Sequence, residues 1–73
     1  MNYQEIYSAI KAGNSVCYFN SFHRVIINNA DTPYEYLAIQ YISNGHLRGI
    51  DPDSFESDYN PADFSIRNSS VLY

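Results

Sequence analysis

The sequence predicts a single α+β domain over residues 1–73, in which one N-terminal amphipathic helix packs on a three- to four-stranded antiparallel meander and an acidic C-terminal segment follows. Three observations indicate this fold. Apolar residues recur with helical spacing in the first dozen positions, and they alternate with period two between residues 15 and 50. The dipeptide Asn44-Gly45 is typical of tight hairpin turns.

The helix is predicted over residues 2–12. Asn2 is a suitable N-cap, and Glu5 stands three residues later, as in a capping box. Gly13 follows at the position where helices commonly end in a positive φ. The apolar residues with helical spacing, which would form one buried stripe, are Tyr3, Ile6, Tyr7 and Ile10.

The meander is predicted over residues 15–50. Its strands are expected at residues 15–19, 22–28, 34–42 and 47–50. The helix stripe would cover the sheet face that carries Val25, Ile27, Leu37 and Ile39. Asn44-Gly45 predicts a type I′ turn between the last two strands, because both central residues of that turn need positive φ.

An acidic segment is predicted at residues 51–63, which hold five of the eight acidic residues and no basic residue. Pro52 and Pro61 limit regular structure, and the four-residue spacing of Phe55 and Tyr59 permits one helical turn between them. Residues 64–73 return to strand-like alternation, so this C-terminal segment should wrap the sheet or add an edge strand.

The overall charge limits the classes of partner. Eight Asp and Glu residues against four Lys and Arg give a net charge of −4, which disfavours direct binding to nucleic acid. No apolar run is long enough to cross a membrane, and no secretory signal is visible. The single cysteine, Cys17, suits a reducing compartment, so we expect a cytoplasmic protein.

Metal binding is not predicted. Asp51 and Asp53 begin like a calcium-binding EF-hand loop, but Glu56 replaces the required glycine and Ala62 stands where the bidentate glutamate belongs. Three candidate zinc ligands, Cys17, His23 and His46, have spacings that match no zinc module.

Catalysis is not predicted either. Cys17 lies within a strand pattern, where a free cysteine is usually inert packing, so a thiol nucleophile paired with a histidine is not favoured. No phosphate-binding glycine loop or hydrolase motif is present. We therefore expect no enzyme activity, no catalytic residues and no cofactor.

Two binding hypotheses remain, both suggested by twelve Tyr and Phe residues, more than a small core needs. In the first, an acidic and aromatic surface binds a basic protein surface through Asp51, Asp53, Phe55, Glu56, Asp58, Tyr59 and Asp63. In the alternative, an oligomer holds a nucleotide-like signal at a subunit interface through Tyr34, Tyr36, Arg24 and Arg48. The small core, the excess aromatics and the apolar end Val71-Leu72-Tyr73 predict a homodimer or higher oligomer.

A resemblance supports the first hypothesis. The pattern of Ile6, Ile10, Gly13, Val16 and Asn20, followed by Val25-Ile26 and the Asn44-Gly45 hairpin, resembles small bacteriophage accessory proteins over residues 3–50. Anti-CRISPR and other anti-defence inhibitors are similar in size, acidity and absence of catalytic residues. The resemblance implies a phage-encoded protein that modulates a host or defence-system protein by binding it.

Overall fold

The structure, a computed structural model, describes residues 1–67, so the apolar end Val71-Leu72-Tyr73 lies outside the described residues. Its elements in chain order are α1 (Tyr3–Lys11), β1 (Val16–Tyr18), β2 (His23–Asn28), β3 (Tyr36–Tyr41), β4 (Leu47–Gly49), α2 (Phe55–Asp58), a 3₁₀ turn (Pro61–Asp63) and β5 (Phe64–Ile66). The predicted α+β class, with one N-terminal helix packed on an antiparallel sheet, is confirmed.

The capping box predicted for helix α1 is present. The Asn2 side chain accepts from the Glu5 backbone N–H at 2.8 Å, and the Glu5 carboxylate accepts from the Asn2 backbone N–H at 2.8 Å. These two bonds satisfy donors that the first helical turn leaves unpaired. The helix ends at the C-cap Ala12, and Gly13 follows with φ +95°.

The five strands form one sheet in the order β4-β3-β2-β1-β5, and every neighbouring pair is antiparallel. The first four strands follow chain order, as a meander requires. The fifth comes from the C-terminal segment, where Phe64 pairs with Tyr18 and adds an edge strand beside β1. Between the two possibilities left open by the sequence, residues 64–66 therefore take the edge strand.

The two faces of the sheet differ in what covers them. The register aligns Val16, Val25 and Ile39 across β1, β2 and β3, so their side chains share one face. Ile6 of α1 and Phe55 of α2 pack on this covered face, as the apolar stripe of the helix predicts. The core residues are Ile6, Val16, Val25, Leu37, Ile39, Ile50, Phe55, Tyr59 and Phe64.

The loop between β3 and β4 differs from the predicted type I′ turn. The Tyr41 N–H donates to the His46 carbonyl at 2.9 Å, and the Gly45 N–H donates to the Tyr41 carbonyl at 2.7 Å. These bonds enclose a four-residue loop, residues 42–45. Gly45 has the expected positive φ of +71°, but Asn44 does not share it. The type I′ prediction is therefore wrong, because the longer loop needs positive φ only at its last position.

Candidate functional site

The acidic segment crosses the covered face of the sheet and is held there by its aromatic side chains. Phe55 is 2% exposed and Tyr59 is 8% exposed. The two rings stack with centroids 5.9 Å apart, and the Tyr3 ring meets Phe55 edge-on at 6.1 Å. Both rings therefore lie in the core of this domain and are not presented on its surface. Their four-residue spacing places both on the inner side of the segment, where they complete the core.

The carboxylates of this segment face outward. Asp51, Asp53, Glu56 and Asp58 are exposed and together form what we call the acidic ridge, whereas Asp63 is half-buried. Within the ridge, Asp51 accepts from the Asp53 N–H at 2.9 Å, and Asp58 accepts from the Ser54 hydroxyl at 2.8 Å. Among residues 1–67, both salt bridges belong to Lys11, so no described cation neutralises the ridge.

An open groove of about 450 Å³ lies between the first turn of α1 and the acidic segment. Its lining residues are Asn2, Tyr3, Gln4, Pro52, Asp53, Phe55, Glu56 and Ser57. Asp53 and Glu56 place two ridge carboxylates beside the groove, opposite the first turn of α1.

The Arg48 side chain packs against an aromatic ring of the core. Its guanidinium lies over the Tyr59 ring, 5.4 Å from the ring centroid, in a cation–π contact. The neighbouring phenols of Tyr59 and Tyr41 raise the pKa of Arg48. Burial raises the pKa of the Tyr59 phenol. The position of Arg48 is explained by this packing.

The four residues of the alternative ligand site do not come together. Arg24 pairs with Gln40 and Arg48 pairs with Ile39, so the two arginines project from opposite faces of the sheet. Tyr36 lies on the face that carries Arg24, where its hydroxyl accepts from the Asn28 side chain at 2.7 Å. Tyr34 is exposed in the loop before β3.

A second charged cluster joins α1 to the loop between β2 and β3. The Tyr7 hydroxyl donates to Glu35, and Lys11 Nζ lies 3.4 Å from Asp31 Oδ1 and 3.7 Å from Glu35 Oε2. The Tyr7 hydroxyl and the Asp31 backbone N–H lower the pKa of Glu35. The hydrogen bond between the Tyr7 hydroxyl and the Glu35 carboxylate also raises the pKa of Tyr7. These contacts fasten the end of the helix to the loop.

The sequence did not predict that two phenylalanine side chains are exposed at one end of the sheet. Phe19 and Phe22 were expected in strands, but they lie in the turn between β1 and β2 and are 68% and 65% exposed. Phe19 has φ +70°, which is rare for a bulky residue. The Asn20-Ser21 pair signalled the turn, but no sequence signal marks an aromatic residue for positive φ.

The remaining chemistry of the described residues is limited. Within residues 1–67, no group of three or more His, Cys, Asp and Glu side chains is placed to hold a metal ion. Cys17 is free and buried. The two helices of the described region are too short to cross a membrane.

The fold and the acidic ridge define a small α+β domain with a preformed anionic surface. No family model, curated protein or solved structure shows significant similarity to the chain.

Proposed function

We propose that this protein is a non-catalytic inhibitor or modulator that binds a basic surface of another protein through its acidic ridge. The observation that carries the proposal is the construction of the ridge: exposed carboxylates stand on a segment whose rings, Phe55 and Tyr59, are buried in the core. The ridge is therefore fixed before any partner arrives, and its charge has no counter-ion among the described side chains.

Preorganisation and charge are both physical advantages for such binding. A fixed segment loses little conformational entropy when it meets a partner, so less of the interaction energy is spent on ordering. A net charge of −4 with four carboxylates on one ridge steers association with a positive surface. On a protein that handles nucleic acid, the ridge carboxylates would occupy positions that phosphates otherwise fill.

The setting we propose is the cytoplasm of a host cell, with a host or defence-system protein as the partner. The resemblance to phage accessory and anti-defence proteins supports this setting, and the free thiol of Cys17 is compatible with a reducing compartment. The exposed ridge would act by occupying the target's basic surface, without chemical change to either protein.

The test compares two variants of equal net charge. One neutralises the ridge with Asp53→Asn, Glu56→Gln and Asp58→Asn. The other keeps the ridge and adds the same positive increment elsewhere with Ala12→Lys, Ala30→Lys and Ser65→Lys, at exposed positions. Proteins retained from host lysate by the immobilised wild type are identified and purified, and their binding kinetics are measured at low and high salt.

We expect the ridge variant to associate with the purified partner roughly tenfold more slowly, and the lysine variant to keep most of the association rate. Binding of the wild type should weaken as salt rises, because the Debye length falls from about 10 Å at 0.1 M to about 3 Å at 1 M. Equal rates for the two variants, or salt-independent affinity, would contradict the proposal.

A further inference from the structure

The two loops at one end of the sheet bring three apolar side chains to the surface. The Ile42 backbone N–H donates to the Phe22 carbonyl at 2.9 Å, which joins the loop after β3 to the turn before β2. Phe19 and Phe22 are about two-thirds exposed, and Ile42 is 47% exposed. We call these three residues, Phe19, Phe22 and Ile42, the hairpin-end patch.

The turn that presents Phe19 is held by hydrogen bonds on both sides. The Asn20 N–H donates to the Tyr18 carbonyl at 2.7 Å across Phe19, which gives the three-residue turn with a positive central φ that is rare and strained. The Phe19 N–H donates to the Asp63 carbonyl at 2.8 Å, and the Asn20 side chain accepts from the Phe22 N–H at 2.9 Å. The fold thus holds an exposed aromatic ring in an unfavourable backbone conformation.

We propose that the hairpin-end patch is a docking site for a protein that offers an apolar pocket with an acidic rim. Exposed rings on a fixed turn match the anchors that carry most binding energy at protein interfaces, since they bury large area with little loss of entropy. This site is separate from the acidic ridge, and the inference does not depend on the function proposed for that ridge.

The charges around the patch indicate the acidic rim. The strands and loops that carry the patch, residues 16–28 and 36–50, contain Arg24, Arg48 and both histidines but no carboxylate. Asp63 approaches Phe19 through its backbone carbonyl. Arg48 is held over the Tyr59 ring, so the charge that a partner meets beside the patch is that of the exposed Arg24, two residues from Phe22, which favours carboxylates on the partner's side.

The exposed area argues against a second copy of this chain as the occupant. A phenylalanine side chain offers roughly 150–250 Å² when fully buried, so the patch would contribute about 300–400 Å² per copy. Stable interfaces bury about 800 Å² per partner. A pocket that surrounds the rings on a partner gains more area per ring than two convex patches pressed together.

A membrane is also a poorer fit than a protein pocket. Attachment of a soluble surface to anionic lipid typically needs about 4–8 clustered Lys and Arg residues. The patch has two arginines on its strands, and Arg48 is already placed over the Tyr59 ring. Three apolar side chains with so little positive charge give weak lipid binding.

The test uses a displayed library of random short peptides as the probe. Peptides are selected on the immobilised wild-type protein, and each is then measured against three variants. The first, Phe19→Ser with Phe22→Ser, removes the patch rings. The second, Tyr34→Ser, removes a still more exposed ring elsewhere. The third is the ridge variant with Asp53→Asn, Glu56→Gln and Asp58→Asn, which separates this site from the ridge.

We expect enrichment of peptides that combine aromatic or aliphatic residues with Asp or Glu, and at least a roughly tenfold loss of affinity in the double serine variant. The Tyr34→Ser and ridge variants should retain the affinity. Ile42→Lys, at an exposed loop position, should reproduce the loss if the serine variant is poorly folded by circular dichroism.

Three results would overturn the proposal. Selected peptides that bind the double serine variant as well as the wild type would show that the patch is not the site. Sedimentation of the wild type, but not the variant, with phosphatidylcholine and phosphatidylserine vesicles would assign the patch to a membrane. A wild-type dimer that the double substitution converts to a monomer would assign it to a second copy.

Discussion

Phe19 and Gly45 occupy the two loops at the same end of the sheet and share nearly the same φ, +70° and +71°. Glycine adopts this conformation without cost, whereas a residue with a Cβ does so against steric repulsion. We therefore expect opposite effects of substitution at the two positions. A side chain added at Gly45 should lower the stability of the protein, whereas removal of the side chain at Phe19 should not.

Gly45→Val should destabilise the protein by about 1–2 kcal/mol, because an L-residue with a branched Cβ resists positive φ. No atom lies within 4 Å of the Cβ position, so the backbone alone carries the cost. The thermal midpoint should fall by roughly 4–8 °C per kcal/mol. Gly45→Asn is the control and should lose less, because asparagine tolerates this region. An unchanged midpoint for the valine variant would show that the loop does not require positive φ.

Phe19→Gly should leave the free energy of unfolding unchanged or raise it by up to about 1 kcal/mol, since it relieves backbone strain and loses little buried area. Phe22→Gly is the matched control, because Phe22 is equally exposed without positive φ. Chemical denaturation of both variants measures the difference. If Phe19→Gly proved as destabilising as Phe22→Gly, the turn would hold no strain.

At the scale of elements, the covered face and the helix could be predicted from the sequence because their signals are local and periodic. The capping pair Asn2 and Glu5 marks where the helix begins. The alternation through β2 and β3 allows one register that buries the apolar side chains on one face of the sheet. Phe55 and Tyr59 were ambiguous, because a spacing of four residues suits a partner surface and a core equally. Only the path of the segment across the sheet decides between these two arrangements.

The loss of Phe55 should therefore be a stability defect rather than a binding defect. Phe55→Ala should cost about 3–5 kcal/mol, because it removes a core ring and leaves a cavity. Glu56→Gln is the neighbouring control and should change stability by less than about 0.5 kcal/mol, since its side chain is exposed. Urea denaturation measures both variants. A Phe55→Ala protein with wild-type stability would return this ring to the list of candidate partner contacts.

The stability that the contacts between α1 and the β2–β3 loop contribute should depend on pH. The Tyr7 hydroxyl and the Asp31 N–H lower the pKa of Glu35 below its ordinary value of 4.5, so the folded state favours the ionised carboxylate. This contribution to stability is present above pH 4.5 and is lost as the pH falls through the lower folded-state value. Glu35→Gln should remove that part of the pH dependence, and Tyr7→Phe should reduce it. Unfolding free energies of the three proteins between pH 3 and 7 measure the effect, and parallel profiles would contradict it.

At the scale of the whole molecule, the acidic ridge and the hairpin-end patch lie on different segments of the chain. The ridge lies on the segment that crosses the covered face, while the hairpin-end patch lies at the ends of strands that carry no carboxylate. The sequence showed the first of these surfaces as a cluster of charges. The second depends on two loops being brought together by the Ile42 to Phe22 hydrogen bond, which no local pattern encodes. Under the two proposals, one small domain presents an anionic surface to one partner and an apolar surface to another.

The size of the domain leads to a final prediction, a homodimer or higher oligomer in solution. A domain of this length buries only about 60% of the surface that its unfolded chain exposes, so association would add stability that the core lacks. Light scattering at micromolar concentration measures the mass, and a stable monomer would contradict the prediction. The double variant Phe19→Ser with Phe22→Ser should keep the wild-type mass, because the hairpin-end patch is too small to hold two copies together. The thermal midpoint of the wild-type protein should also rise with protein concentration, as mass action requires when folding and association are coupled.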